Sequence, residues 1–218
     1  MLYMVPTKNY AGVILYGDYY DLKDLYETIY HVVENFPYNS HHIFKDYALG
    51  LCYDIRHAYE GQREIKELGF DERDSAKYYG VKILLPVLLF QYKLIRWFKG
   101  FVTITNNHQA NLFRLESCIE NALKEIDAEI ADQCMLHFTY NSGITDKYLR
   151  IFIDSLSIEY MEKTKAKRKS SLVSMLNSMS ELSPEYRDFH KMAVERAVEL
   201  NCKPEKLNYN YDEKEIIW

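Results

Sequence analysis

The feature that most constrains the fold is the segment between Ile83 and Phe98, whose first half is apolar on almost every side. A segment that is apolar all round has no face that suits water, so it must be buried. Pro86 is acceptable in the first turn of a helix, because the amide that proline lacks has no helical partner there. The sequence therefore predicts a helix over Ile83–Phe98 at the centre of the fold.

The same segment argues against a membrane protein. Its longest uncharged part, Ile83–Phe90, is far shorter than the roughly 20 residues that span a bilayer. Lys82, Lys93 and Arg96 lie close to this apolar part. We therefore expect a soluble protein with no membrane association.

Two short β-prone runs, Leu2–Val5 and Gly12–Tyr16, lie near the start of the chain, and a turn-forming sequence containing Pro6 and Asn9 separates them. This pattern predicts an antiparallel hairpin. The segment Arg63–Leu68 fits the helical period and also half-fits strand alternation. For this segment, strand and helix both remain open.

Apolar residues recur at three- and four-residue spacing in six further stretches, which is typical of helices with one buried face. Asp21 is placed to cap the first of these helices. Gly61 is a natural stop for the second, and Ser183 followed by Pro184 is a start signal for the last. The predicted helices run from Asp21 to Phe36, Ser40 to Tyr59, Asn106 or Asn107 to Ile130, Thr145 or Asp146 to Tyr160, Leu172 to Met179, and Ser183 to about Leu200.

These elements predict an α+β fold that is predominantly α-helical. A helical bundle surrounds the buried central helix, and a small antiparallel β-hairpin or sheet lies at the N-terminus. A chain of 218 residues can bury about 70% of the surface that its unfolded form exposes, so it needs neither disulfides nor metal for stability. We expect one domain over residues 1–218, with a polar tail from about 204 to 218.

Charge and cysteine usage narrow the functional classes. The chain has 27 Lys and Arg against 32 Asp and Glu, a net charge of -5, which disfavours a dedicated nucleic-acid binder. Its cysteines lie far apart without a Cys-x-x-Cys pair, and residues 1–12 lack the pattern of a signal peptide. We therefore expect free thiols and a cytoplasmic location. The cysteines are Cys52, Cys118, Cys134 and Cys202.

Tyrosine is unusually abundant, with 20 residues. A tyrosine carries an apolar ring and a hydroxyl, so it suits half-buried positions at the margin of a core and also suits wet interfaces. The margin of the core is the simpler explanation. The interface alternative includes a protein partner or a second copy of the chain.

Three stretches resemble a family of uncharacterised bacterial proteins known only as a domain of unknown function. They are Gly17–Leu22, Leu49–Tyr59 and Ile83–Gln91, with the sequences GDYYDL, LGLCYDIRHAY and ILLPVLLFQ. The resemblance covers the first half to two-thirds of the chain. It implies a bacterial origin, and it carries no catalytic or ligand-binding residue that can be transferred.

The densest group of reactive side chains includes Cys52, Asp54, Arg56 and His57. Cys52 and His57 do not form a nucleophilic dyad, because five helical residues turn through about 140° and separate the two side chains. Cys52 shares a face with Arg56, which could lower the pKa of the thiol, although a buried, inert cysteine is the simpler alternative. Asp54, Arg56 and His57 form a candidate polar pocket for a small anion, and a solvated helix face is the alternative.

No metal or cofactor is predicted. His57 and Glu60 are three residues apart, but the di-metal helical pattern has the reverse order and occurs as a pair. His31, which shares a face with Glu27 and Glu34, is better explained as a boundary residue. The chain also has no glycine-rich phosphate loop.

The segment Lys163–Lys169 carries five positive charges in seven residues. It is a candidate anion-binding patch, while a solvated connection between helices is the commoner outcome for such a run. The cations concerned are Lys163, Lys165, Lys167, Arg168 and Lys169. Since no pattern assembles a nucleophile, a base and an oxyanion donor, we expect a noncatalytic binding or regulatory protein. The alternative is an enzyme that uses the pocket of Asp54, Arg56 and His57.

Overall fold

The described part of the chain contains a four-stranded antiparallel sheet in the order β1-β2-β4-β3. The strands are β1 (Tyr3–Pro6), β2 (Gly12–Gly17), β3 (Glu64–Leu68) and β4 (Ala76–Leu84). The computed structural model describes residues 1–68, 76–139, 144–207 and 216–218. The predicted hairpin is confirmed, with Tyr3 opposite Tyr16. The segment left open between strand and helix is an edge strand, and its neighbour β4 was not predicted.

Helices make up most of the described chain, which confirms the predicted class, α+β and mostly helical. Two short 3-10 turns, Asn39–His41 and Pro204–Lys206, accompany them. No helix in the described ranges is long and apolar enough to cross a membrane. The α-helices are α1 (Tyr19–Glu34), α2 (His42–Tyr59), α3 (Leu85–Lys99), α4 (Asn106–Ile126), α5 (Ala128–Thr139), α6 (Leu149–Glu162), α7 (Lys165–Ser178) and α8 (Pro184–Glu199).

The predicted core helix is α3, but its start was placed too early. Ile83 and Leu84 end strand β4, and the helix begins at Leu85 with Pro86 in its first turn. An apolar run that is buried on all sides carries no periodicity, so the end of a strand cannot be told from the start of a helix within it. Leu88 and Phe90 are completely buried.

Several helix starts also differ from the prediction. Asp18, not Asp21, caps α1, since its carboxylate accepts the amide of Asp21 at 2.9 Å. Thr105 caps α4 in place of Asn106 or Asn107. In both cases the capping residue is the last extended residue before the helix, where a short polar side chain can reach back to a free amide.

The long stripe predicted to end at Ile130 is divided between two helices. Asp127 is extended and separates α4 from α5, and its carboxylate accepts the amides of Glu129 and Ile130. The next helix, α6, starts at Leu149, later than predicted, and α7 starts at Lys165, earlier than predicted.

The stop at Gly61 and the start at Ser183 are as predicted. Gly61 has a φ of 77°, a left-handed conformation that glycine adopts without steric cost. Ser183 accepts the amide of Tyr186 at 3.0 Å. The polar part of the predicted tail, residues 208–215, lies outside the described residues, whereas Ile216 packs with Ala11 and Leu84.

The sheet has one buried face and one outer face. Leu2, Met4 and Leu15 are buried beneath it, where α1, α2 and α4 pack. Tyr3 and Tyr16 lie on the outer face, with their ring centroids 5.1 Å apart. Strand β1 therefore lies at an edge of the sheet with helix α4 beside its buried face.

Candidate functional site

Cys52 is directed into the protein. Its sulfur lies 3.9 Å from the carbonyl oxygen of Tyr26 on α1. Burial is the main cause that raises the pKa of the Cys52 thiol to about 12. The thiol is therefore protonated at neutral pH, and the proposed activation by Arg56 finds no support in these contacts.

Asp54 lines a cleft of about 320 Å³ beside strands β3 and β4. Its carboxylate lies 3.7 Å from the guanidinium of Arg63. Lys82 and Glu64 also line this cleft, with a 2.8 Å ion pair between them. The acidic and basic side chains of this cleft thus largely form ion pairs with one another.

Arg56 and His57 are not among the residues that line the cleft of Asp54. Arg56 lies over the ring of Tyr53, 5.9 Å from its centroid. The Nδ1 atom of His57 is hydrogen-bonded to the Oε1 atom of Gln62. Within the described part of the chain, the four predicted pocket residues therefore have different surroundings.

The basic segment does not form a connection between helices, because residues from Lys165 onward belong to α7. Two of its lysines are paired with acids: Lys163 with Glu159 and Lys169 with Asp127, each at 2.8 Å. Lys165 lies over the ring of Tyr10, 4.1 Å from its centroid. Lys167 is exposed.

Arg168 is 3% exposed and is directed into the protein. Its guanidinium donates hydrogen bonds to the main-chain carbonyls of Asn9, Tyr160, Met161 and Ile217. Tyr160 and Met161 are in the last turn of α6, where the helix dipole favours a cation. Arg168 therefore joins the β1–β2 turn to α6 and to the C-terminal segment.

A larger groove, of about 930 Å³, lies between the edge of β1 and one face of α4. Its first wall consists of consecutive residues of the β1 region. Its second wall is a stripe of α4 at helical spacing, and Asp21 of α1 also lines the groove. The lining residues are Met1, Leu2, Tyr3, Met4, Val5, Asp21, Arg114, Ser117, Cys118, Asn121, Lys124 and Glu125.

The chemistry of the groove is mixed. Met4 and Cys118 supply buried apolar surface, while Arg114, Ser117 and Asn121 are exposed polar residues. Burial, reinforced by Asp21, raises the pKa of the Cys118 thiol to about 11. The groove can therefore make apolar contacts, hydrogen bonds and ion pairs, and its thiol is protonated at neutral pH.

Sequence reasoning missed this groove. A signal was present in the polar residues of α4 at positions 114, 117, 121 and 124, which recur at three- and four-residue spacing opposite the buried stripe. Such a face normally meets solvent. Only the position of β1 beside it creates a cavity.

The described histidines and acids form no metal site. His31 and His108 lie together, with ring centroids 4.5 Å apart, and the Nε2 atom of His31 is 3.0 Å from the carbonyl oxygen of Thr103. Within the described ranges, no group of three or more His, Cys, Asp or Glu side chains is arranged to hold a metal ion.

Comparison with known families complements this geometry. The sequence model of a family described as "Domain of unknown function (DUF6904)" matches residues 2–218. The chain belongs to this family. The match to DUF6904 extends beyond the first half to two-thirds of the chain over which the resemblance was expected. No curated protein and no solved structure matches the chain.

Proposed function

We propose that this protein is a noncatalytic binding or regulatory protein of the bacterial cytoplasm, and that the groove between β1 and α4 holds its ligand. The observation that carries this proposal is the combination of a 930 Å³ cavity with buried apolar and exposed polar walls. This size and this mixed lining are typical of ligand sites.

The side chains of the groove favour binding over catalysis. Its lining, within the described chain, contains no histidine, and burial keeps the Cys118 thiol protonated. A nucleophile without an adjacent base is weak. The alternative, an enzyme that uses Asp54, Arg56 and His57, has less support because these side chains face different surroundings.

The proposed cytoplasmic location is supported by the cysteines. All four are free, and Cys52, Cys118 and Cys134 are buried. Disulfides stabilise many secreted proteins, whereas reducing compartments keep thiols free. The bacterial origin is proposed from the resemblance of the sequence alone.

A fragment screen by NMR tests the position of the site. We expect polar, uncharged amide fragments of a general library to shift the amide signals of Leu2–Val5 and of the α4 stripe. Ser117→Trp should abolish these shifts, because the indole projects from the α4 wall into the groove and blocks it. Gln133→Trp, at an exposed position on α5, is the matched control and should leave them unchanged.

Two results would contradict the proposal. One is a set of fragments whose shifts cluster away from the groove. The other is fragment binding that is equally strong in the Ser117→Trp and Gln133→Trp variants.

A further inference from the structure

We propose that the groove binds an extended polypeptide segment, which adds as a further strand to the open edge of β1. This inference rests on the proposed function, since it names the ligand class of the same groove. Strand addition to a sheet edge is a general mode of peptide recognition, in which main-chain hydrogen bonds supply affinity and side-chain pockets supply specificity.

The register of the hairpin shows which main-chain groups face the groove. The amide of Thr7 donates to the carbonyl of Gly12 at 2.9 Å, so these residues form a hydrogen-bonded pair. Such pairs alternate along an antiparallel ladder. Val5 and Tyr3 therefore bond to β2, and the main-chain groups of Met4 and Leu2 point away from it.

These outward groups belong to residues that line the groove. Leu2 and Met4 together present two amides and two carbonyls, and neither residue bonds to another element within the described chain. Pro6, which has no amide to donate, ends this open stretch. Because α4 packs against the buried face of β1, a strand in this position would lie along the α4 stripe.

The charges of α4 indicate which peptide fits. Lys124 is already paired with Glu120. Arg114 and Glu125 are exposed and have no ion pair with another side chain in the described ranges. They lie eleven residues apart on one face of the helix, a distance of about 16 Å.

This spacing translates into a sequence pattern in the peptide. Side chains on one face of a strand repeat every second residue, and four residues span about 13 Å. The length of the charged side chains covers the difference between this distance and the one between Arg114 and Glu125. The groove thus fits an extended peptide with an acidic and a basic residue four positions apart, the acid beside Arg114 and the base beside Glu125.

Two fluorescently labelled heptapeptides test this pattern: Gly-Asp-Thr-Val-Thr-Lys-Gly and its charge-exchanged form, Gly-Lys-Thr-Val-Thr-Asp-Gly. Fluorescence anisotropy measures their binding to the full chain. We expect one of these two peptides to bind at least tenfold more tightly than the other. The double variant Arg114→Glu, Glu125→Arg should reverse this preference, because it exchanges the charges at the two ends of the groove.

A proline substitution tests the main-chain contacts. Met4→Pro removes an outward amide without removing a β1–β2 hydrogen bond. Met4→Val is the matched control, which keeps the amide and also shortens the side chain. We expect the proline variant to bind the preferred peptide at least tenfold more weakly than the valine variant, with thermal unfolding used to confirm that both variants fold.

Three outcomes would overturn the inference: neither peptide binds at millimolar concentration, both polarities bind equally to wild type and the double variant, or Met4→Pro binds as tightly as Met4→Val. A dimer in sedimentation equilibrium that Met4→Pro dissociates would assign the edge to a second copy instead. Fragment binding that Ser117→Trp abolishes would preserve the groove as a ligand site even when the peptide experiments fail.

Discussion

Replacing Arg168 with methionine is the most informative perturbation of the fold. The guanidinium lies 3.2 Å from the carbonyl oxygen of Tyr160 and 3.0 Å from those of Asn9 and Ile217. It also donates to the carbonyl of Met161. Methionine matches the unbranched stem of arginine as far as Nε and has no donor, so Arg168→Met leaves these four carbonyls without their partner while retaining the apolar packing of the stem.

The expected loss follows from the number and type of these bonds. A hydrogen bond to a charged group contributes about 1.5–3 kcal/mol, and a buried acceptor left without a donor carries its own desolvation cost. The four contributions are not additive, because they share one guanidinium. Removing Arg168 also removes the cost of burying a charge. We expect Arg168→Met to lower the free energy of unfolding by about 3–5 kcal/mol, out of a total of about 5–15 kcal/mol.

Urea unfolding at pH 7 measures this loss. Lys167→Met is the control, since Lys167 is exposed on the same helix, and it should change the stability by no more than about 0.5 kcal/mol. Limited proteolysis should also cut the C-terminal segment faster in Arg168→Met, because Ile217 loses its donor. A loss below about 1 kcal/mol would refute the reasoning, since one charge-assisted bond alone contributes more.

Three further predictions concern burial, packing and capping. Burial lowers the pKa of Lys93, which is 3% exposed, to about 8. Below pH 8 the charge of Lys93 therefore lowers the free energy of unfolding by about 3 kcal/mol, and this loss disappears as the pH rises towards 10.5, the pKa in the unfolded chain. Denaturation at pH 7 and pH 10 should show that the stability of Lys93→Met, measured relative to wild type, is higher at pH 7 than at pH 10. The same difference between variant and wild type at both pH values would contradict this. Gly12→Ala should lower the free energy of unfolding by about 1–3 kcal/mol, because the new Cβ would lie 2.1 Å from the carbonyl oxygen of Ile83. An unchanged midpoint of chemical denaturation would contradict this close packing. Asp18→Ala should cost about 1 kcal/mol by loss of the α1 cap, and a thermal melt identical to that of wild type would show that the cap contributes nothing.

The fold class could be predicted from the sequence because its strongest signals are local. The stripe from Leu22 to Val33 in α1, the Ser183 cap and Gly61 each require only neighbouring residues, and each matches the structure. These signals depend on helical periodicity and on backbone preferences at helix ends.

The errors arose where two elements join without a distinct local signal. Ile83 continues the alternation of Val81 and Lys82, whereas Leu84 is a second consecutive buried residue that also belongs to the apolar run, so the end of the strand carries no distinct signal. Asp127 interrupts a stripe that continues in phase from Ile126 to Ile130. A single aspartate within such a stripe is a weak signal for a helix boundary.

The candidate site was less predictable, because a count of charged residues along the sequence does not show whether each side chain points into the protein or into solvent. Arg168 lies four residues before Leu172 and seven before Met175, so it continues the buried stripe of α7; this spacing was a usable signal for an inward arginine. The β1 groove had no comparable signal. Its open edge exists because β4 pairs with the other side of β2, which is a property of the tertiary fold.

The central claim is that the groove between β1 and α4 is the ligand-binding site, and an unbiased peptide selection with position-specific crosslinking tests it most directly. Peptides selected from a random library would be incubated with two proteins that carry photoleucine, a diazirine residue much smaller than tryptophan, in place of Ser117, in the groove, or Gln133, on the exposed face of α5. We expect the selected peptides to crosslink from position 117 and not from position 133. Crosslinking from position 133 alone, or from neither position by peptides that still bind, would contradict it.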